Sequence, residues 1–294
     1  MVHSSQMIGT REVWQLLRVV VPVVVGLVAV VSATAYIVSE QQLSGARSVP
    51  SESIAVPNDI AAVQHGQHLA GAIALCTRCH AANLAGAVLE DDALARVVAP
   101  DITRGGPVAG FSDADYARAI RDGVGADGRP LWLMPTDAYS RLSDTDLGSL
   151  IAYLKSLPPV ASSLPVNQIR PLGRVLAAAG RYALVLPPNV AGSAPPPDLT
   201  PQYGEYLVAI AGCARCHGAR LSGAAGARGA PPASDLTPAG LGGWSESDFL
   251  RAMRTGRRPD GSVLDSAMPW QYYAQMSDLE LRAIWEYLGV LPAQ

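Results

Sequence analysis

Cys76-Thr77-Arg78-Cys79-His80 returns later in the chain as Cys213-Ala214-Arg215-Cys216-His217. Each is a C-x-x-C-H run, the attachment signature of a c-type haem. In such a site the two thiols form thioethers with the haem vinyl groups, and the adjoining imidazole takes one axial place on the iron. The chain has four cysteines, and these two runs use all of them. A four-cysteine zinc site sets its two C-x-x-C knuckles about 15–20 residues apart, whereas here the gap runs from Cys79 to Cys213. No βαβ pattern of the kind that carries a redox dithiol surrounds either run. The sequence therefore predicts two covalently bound haem c groups, with Cys76, Cys79, Cys213 and Cys216 as attachment points. His80 and His217 are the expected axial ligands.

The second axial position decides what the iron does, because Met or His closes it for electron transfer and a vacancy opens it to ligands. The first repeat, residues 58–160, holds a single Met, Met134, followed by Pro135. In the second half Met253 and Met276 align with Ile120 and Leu142, which marks them as core. Met268 aligns with Met134 and is likewise followed by Pro. Met134 and Met268 are the expected distal ligands, against the simpler reading of Met as an adaptable core filler. Arg118 aligns with Arg251 and Arg121 with Arg254. A guanidinium fork suits a haem propionate, so Arg118 and Arg251 are candidate propionate contacts, with solvated helix faces as the alternative.

The repeat extends beyond the motifs. Pro100-Asp101-Ile102-Thr103 answers Ser234-Asp235-Leu236-Thr237, and Gly110-Phe111-Ser112-Asp113 answers Gly243-Trp244-Ser245-Glu246. Leu142-Ser143-Asp144-Thr145-Asp146-Leu147 answers Met276-Ser277-Asp278-Leu279-Glu280-Leu281. Two copies make a duplicated domain, since a solenoid needs at least three stacked units. Ser112, Ser143, Ser245 and Ser277 each have an acidic residue three places on, the capping box that opens a helix. Leu147, Leu150, Ile151 and Leu154 fall at i, i+3, i+4 and i+7, as do Leu281, Ile284, Trp285 and Leu288, so each helix buries one face. No period-2 strand stands out, and the fold class expected is all-α. His65 and His68 precede the first motif where Tyr203 and Tyr206 precede the second. A role shared by both halves keeps its residue type, so the two histidines are read as surface or packing residues.

Composition bounds the rest. The chain has 294 residues, a formal charge of −3 and no polybasic run, which speaks against nucleic acid as a partner. With 6% aromatics and two Phe, each small domain buries little by itself, so a haem would complete its core. Val19 to Val38 is a 20-residue stretch without charge, long enough to cross a bilayer as a helix. Arg11 and Arg18 precede it and none follows closely, which predicts an N-terminus in the cytoplasm and haem domains on the periplasmic side. Ala33-Thr34-Ala35 also fits the A-x-A rule, so a cleaved secretory signal is the competing reading. The expected layout is 1–18 cytoplasmic, 19–38 transmembrane anchor, 39–57 tether, 58–160 first domain, 161–200 linker and 201–294 second domain. In the linker, Leu172, Val175, Leu176, Ala179, Tyr182, Ala183 and Leu186 mark one helix face, with Arg174 and Arg181 on another. Packing on the two haem domains is favoured over an interfacial membrane helix.

The second half resembles the cytochrome c subunits of membrane-bound dehydrogenases that serve periplasmic alcohol, aldehyde and gluconate oxidation. Carrying the resemblance are Tyr206-Leu207-Val208, the motif at 213–217, Asp235-Leu236-Thr237-Pro238 and Gly243-Trp244-Ser245-Glu246-Ser247-Asp248-Phe249. Ala252-Met253-Arg254-Thr255-Gly256, Asp260-Gly261 and Ala267-Met268-Pro269 continue it, and the first half carries the series more loosely. The resemblance implies two tandem class I cytochrome c domains behind the N-terminal helix. It also implies His/Met haems and electron delivery from a partner to a quinone pool or an oxidase. Those subunits carry three motifs and a cleaved signal, where this chain has two motifs and an apparent anchor. The function expected is electron transfer without substrate chemistry, between a membrane dehydrogenase or quinol-oxidising complex and a downstream acceptor. A dihaem subunit of a terminal oxidase is the nearest alternative. A dihaem enzyme, such as a peroxidase or thiosulfate dehydrogenase, would need one open iron, yet each half offers its own Met-Pro.

Overall fold

The computed structural model describes residues 10–50, 52–131, 133–179, 193–226 and 231–293. Arg181, Tyr182, Ala183 and Leu186, singled out above, lie outside them. The chain opens with a long helix, α1 (Thr10–Ser44), which runs through Pro22 without a break. Its segment Trp14–Ser44 is apolar, with a mean hydropathy of 2.5, and no part of its most apolar stretch is buried in the protein. The helix does not stop at Val38. It continues through the start of the expected tether because Ser39 and Leu43 are buried there.

In the first half, α2 (Ile60–His68) starts at Asp59, whose carboxylate accepts the Ala62 N–H at 2.9 Å. It ends in a π-helical turn, Leu69–Ile73, that leads into α3 (Cys76–Cys79). The strands β1 (Ala87–Asp91) and β2 (Ala95–Ala99) follow, then α4 (Asp113–Ala117), which extends as a π-helical turn over Arg118–Asp122. The half closes with α5 (Thr136–Tyr139) and α6 (Asp144–Ser156). β3 (Gln168–Ile169) and α7 (Pro171–Ala178) form the connection.

The second half repeats the order: α8 (Pro201–Ile210), α9 (Ala214–His217), β4 (Ser222–Ala224), β5 (Ala233–Asp235), α10 (Pro238–Leu241), α11 (Glu246–Thr255), α12 (Trp270–Tyr273) and α13 (Asp278–Gly289). Both halves are mostly helical, as the sequence implies. The short strands were not legible in it: β1 pairs antiparallel with β2 across a bulge between Val88 and Glu90, and β4 pairs with β5.

In each half the first helix crosses the last, and the predicted apolar faces are the buried ones. Leu147, Leu150, Ile151 and Leu154 on α6, and Leu281, Ile284 and Leu288 on α13, are all buried. The crossing requires a glycine. A Cβ on Gly66 would collide with the Ser149 carbonyl oxygen, and one on Gly204 with that of Ala283, so backbone packs on backbone at both crossings. Met253 and Met276 are buried in this core, as their alignment implies. The buried side chains of the two halves form one continuous cluster.

The halves meet about a pseudo-twofold axis. α5 of the first packs on α8 of the second, and α12 of the second packs on the turn 69–73 of the first. The connecting helix α7 packs on α1 and, at Gly173, closely on the Leu94 carbonyl of the first domain's hairpin. Arg174 reaches across to Glu40 (2.9 Å) and Ser39 (3.1 Å), and its guanidinium lies 4.2 Å from the centre of the Tyr36 ring.

Candidate haem sites

Each C-x-x-C-H run sits at the end of the first helix of its half, where a tight turn brings its residues together. The His80 N–H closes on the Cys76 carbonyl at 2.9 Å, and the His217 N–H closes on that of Cys213 at 2.9 Å. Cys76 and Cys213 face apolar surroundings, and burial pushes both thiols up to about 12. Such a seat suits the edge of an apolar ring.

The imidazoles are held alike. His80 Nδ1 lies 2.8 Å from the Pro100 carbonyl oxygen, and His217 Nδ1 lies 2.8 Å from that of Ser234. A carbonyl only accepts, so the proton sits on Nδ1 and Nε2 keeps its lone pair. That is the tautomer an iron ligand needs, with the backbone carbonyl as its orienting partner. Burial also lowers the His80 pKa, which favours the neutral ring. The hairpins explain how these carbonyls arrive. β1–β2 and β4–β5 each leave the motif and fold back, returning Pro100 and Ser234 to the histidine. The signal for these two residues was present in the repeat, where Pro100 and Ser234 align, but a backbone acceptor leaves no residue-type signature.

Met134 and Met268 are half-buried against the core and lead into matching turns. The Thr136 N–H bonds to the Met134 carbonyl and the Trp270 N–H to the Met268 carbonyl, both at 2.8 Å. The helix after each Met is tied back to its own motif by a tyrosine. The Tyr139 hydroxyl donates to the Ala74 carbonyl, and the Tyr273 hydroxyl donates to that of Ala211 at 2.9 Å. Both phenols are pushed well above their usual range, first by burial and then by the nearby motif cysteines. The fold thus brings motif and Met loop together in both halves, and the donor set fits a haem c in each.

Arg118 bonds to Asp115 at 2.5 Å and Arg251 to Asp248 at 2.6 Å, each to the carboxylate that completes its helix's capping box. Among the described residues, the Arg118 Nε is buried without a hydrogen-bond partner. Arg121 and Arg254 do something the sequence did not suggest. Arg121 holds the Leu142 carbonyl (2.7 Å) and Asp144 (2.9 Å), and Arg254 holds the Met276 carbonyl (2.5 Å) and Asp278 (2.7 Å). Each guanidinium pins the start of the last helix of its half.

His65 and His68 both bind carboxylates. His65 Nε2 lies 2.6 Å from Asp146, and His68 Nε2 lies 2.9 Å from both oxygens of Glu280 in the other half. Tyr206 crosses in the opposite direction: its hydroxyl donates to Asp146 and accepts the Ser143 N–H at 3.1 Å. The capping box expected at Ser143 is therefore only half made by its own residues. Ser143 caps α6, but the bond back to its N–H comes from Tyr206, because Asp146 is occupied by His65 and Tyr206. The boxes at Ser112, Ser245 and Ser277 are complete.

Comparison with known families agrees with this geometry. The family model described as "Cytochrome c" matches residues 201–291, and that described as "Cytochrome C oxidase, cbb3-type, subunit III" matches residues 61–154. The chain is built from two cytochrome c domains. It is 28% identical over 278 residues to the fructose dehydrogenase cytochrome subunit of Gluconobacter japonicus, covering 84% of this chain and 56% of that protein. It is 29% identical over 278 residues to the cytochrome c subunit of the quinone alcohol dehydrogenase of Komagataeibacter europaeus, covering 80% and 57%. A diheme cytochrome c-type protein of Cereibacter sphaeroides is 28% identical over 221 residues, covering 67% and 70%. The chain thus spans just over half the length of the dehydrogenase subunits it matches. Its two cytochrome c domains and its similarity to such subunits support haem c as the cofactor.

Proposed function

We propose that the protein is a membrane-anchored dihaem cytochrome c that relays electrons between a dehydrogenase or quinol-oxidising partner and a downstream acceptor. α1 is its anchor, and the two domains stand on the periplasmic side. The observation that carries this reading is the paired imidazole lock, in which Nδ1 is spent on Pro100 or Ser234 and Nε2 remains available. Bound haem c would supply reversible one-electron chemistry at each site. The protein's part is to hold and tune it. Cys76, Cys79, Cys213 and Cys216 would hold the ring covalently, and His80 with Met134, and His217 with Met268, would hold the iron. Tyr139 and Tyr273 keep the Met loops against the motifs, which would close each site to exogenous ligands.

The test is a carbon monoxide difference spectrum of the fully reduced holoprotein. No binding at neutral pH is expected. Rapid binding at either haem would sink the carrier reading in favour of an enzyme or a gas-binding protein.

The match of residues 61–154 to an oxidase-subunit model favours a second reading, a dihaem subunit of a terminal oxidase. Affinity purification of the full chain from solubilised membranes separates the two. A flavin- or quinone-dependent dehydrogenase would co-purify under the first reading, and a haem–copper oxidase under the second.

A further inference from the structure

α7 is built inside out for a helix at a water-facing surface. Helices on soluble proteins turn apolar residues inward and polar ones outward. In α7 the single charged side chain, Arg174, points in and is held by Glu40, Ser39 and the Tyr36 ring of α1. Gly173 and Ala177 are buried beside it. The opposite face carries Pro171, Leu172, Val175 and the capping residue Ala179, all exposed and none polar. Leu172 is 54% and Val175 47% exposed. At about 100° per residue these four share one arc of the helix, and the buried residues share the opposite one.

The position of α7 along α1 says what covers that face. The uncharged stretch Val19–Val38 spans about 30 Å as a helix, the thickness of a bilayer's hydrocarbon core. α7 is clamped to Tyr36, Ser39 and Glu40, where that stretch ends. Tyr36 and Ile37 are themselves exposed there. Tyr and Arg are residues that settle at head-group depth.

We infer that the face of α7 formed by Leu172 and Val175 lies in the lipid head-group and acyl boundary, so that α1 and α7 together form the membrane seat of the haem domains. This rests on the reading of α1 as the anchor. The lateral surface of the span and the outer face of α7 are both apolar and adjoin each other, and lipid is the medium that covers both. A second contact would also fix how the domains stand on the membrane, since one helix alone leaves them free to swivel.

The experiment uses full-length holoprotein in phosphatidylethanolamine–phosphatidylglycerol nanodiscs. Nitroxide labels are placed singly through Leu172→Cys, Val175→Cys, Val28→Cys in mid-span, and Thr145→Cys on the exposed surface of the first domain. The native cysteines are consumed by haem attachment, so each introduced thiol is unique. Accessibility to oxygen, which concentrates in lipid, is compared with accessibility to a water-soluble nickel chelate. Labels at 172 and 175 are expected to show an oxygen-to-nickel ratio several-fold above that at 145 and approaching that at 28. A lipid signature at 28 with a water signature at 172 and 175 overturns the inference and leaves the anchor standing. Labels at 172 and 175 shielded from both reagents would mean a protein contact and also overturn it. A water signature at 28 would overturn the anchor and the inference together.

Discussion

His68 of the first domain bonds to both carboxylate oxygens of Glu280 in the second, at 2.9 Å each. Position 68 corresponds to Tyr206 and position 280 to Asp146, and Tyr206 of the second domain bonds to Asp146 of the first. The same two positions thus meet twice, once in each direction, as a pseudo-twofold axis demands. Glu280 is almost fully buried, so it is costly to strand without a partner.

The clasp is therefore expected to couple the unfolding of the two domains. His68→Ala should destabilise the holoprotein by about 1.5–3 kcal/mol, the range for a hydrogen bond to a charged group. With Tyr206→Phe added, calorimetry should resolve two transitions where the parent shows one. A single cooperative transition in the double variant would mean that the domains stay coupled without the clasp.

The His65–Asp146 pair makes stability depend on pH in a defined direction. The hydrogen bond to Asp146 raises the His65 pKa above its ordinary 6.5, against the effect of burial. Burial tends to raise Asp146, but its bonds from His65 and Tyr206 prevail and hold it below its ordinary 3.8. His65 thus contributes fully below 6.5 and loses its contribution as pH rises through its elevated folded value. Asp146 contributes above 3.8 and loses its share as pH falls through its depressed one. The melting temperature should be highest between 3.8 and 6.5 and fall as pH rises above 6.5. His65→Gln should flatten that fall, and an unchanged profile would remove the pair from the account.

Arg121 and Arg254 occupy equivalent places with unequal burial. Arg121 is 1% exposed and also meets Glu52 at 2.6 Å, whereas the Arg254 side chain is 31% exposed. Arg121→Met leaves a carbonyl and two carboxylates without their donor and should cost about 1–3 kcal/mol. Arg254→Met should cost visibly less, because the Arg254 guanidinium already meets water in the folded protein. Urea unfolding of the two variants measures the difference. Equal losses would argue that burial is not what sets the value of the clamp.

What the sequence made legible was whatever a residue type had to do by itself. The C-x-x-C-H runs, the Met-Pro pairs and the apolar stripes on α6 and α13 announce themselves because side-chain chemistry or helical period demands them. The hairpins did not. β1 is broken by a bulge at Val88–Glu90, and β4 is Ser-Gly-Ala, which has neither alternation nor a β-branched residue. Their value lies in carbonyls, Pro100 and Ser234, which any residue supplies. The rule that a shared role keeps its residue type passed over His68 for a related reason. Across a pseudo-twofold axis the contact repeats with a different pair in each direction, His with Glu in one and Tyr with Asp in the other. α7 packs on α1 because of Arg174 and Glu40, a pairing that no local pattern foretells.

The two helix crossings should be intolerant of any side chain. Gly66→Ala and Gly204→Ala each put a methyl against a backbone carbonyl that cannot rotate away. Each should destabilise by about 1–3 kcal/mol, the usual cost of overpacking. Haem absorption reports folding, and thermal melts report the loss. A neutral result at Gly66 would mean that α2 slides easily on α6.

The Met loops offer the sharpest contrast between ligand and filler. Met134 and Met268 are both half-buried against the core, so replacing either with Leu keeps volume and apolar contact and should cost less than about 1.5 kcal/mol in stability. A filler would show nothing further. A ligand would show a lower potential at its own haem, some fraction of the roughly 0.8 V range that axial ligands span. It would also show new carbon monoxide binding at that haem alone. Met134→Leu and Met268→Leu should therefore each open one of the two haems, and the double variant both. If stability, potential and carbon monoxide binding all stayed at parent values, Met would be packing and another residue would close the iron.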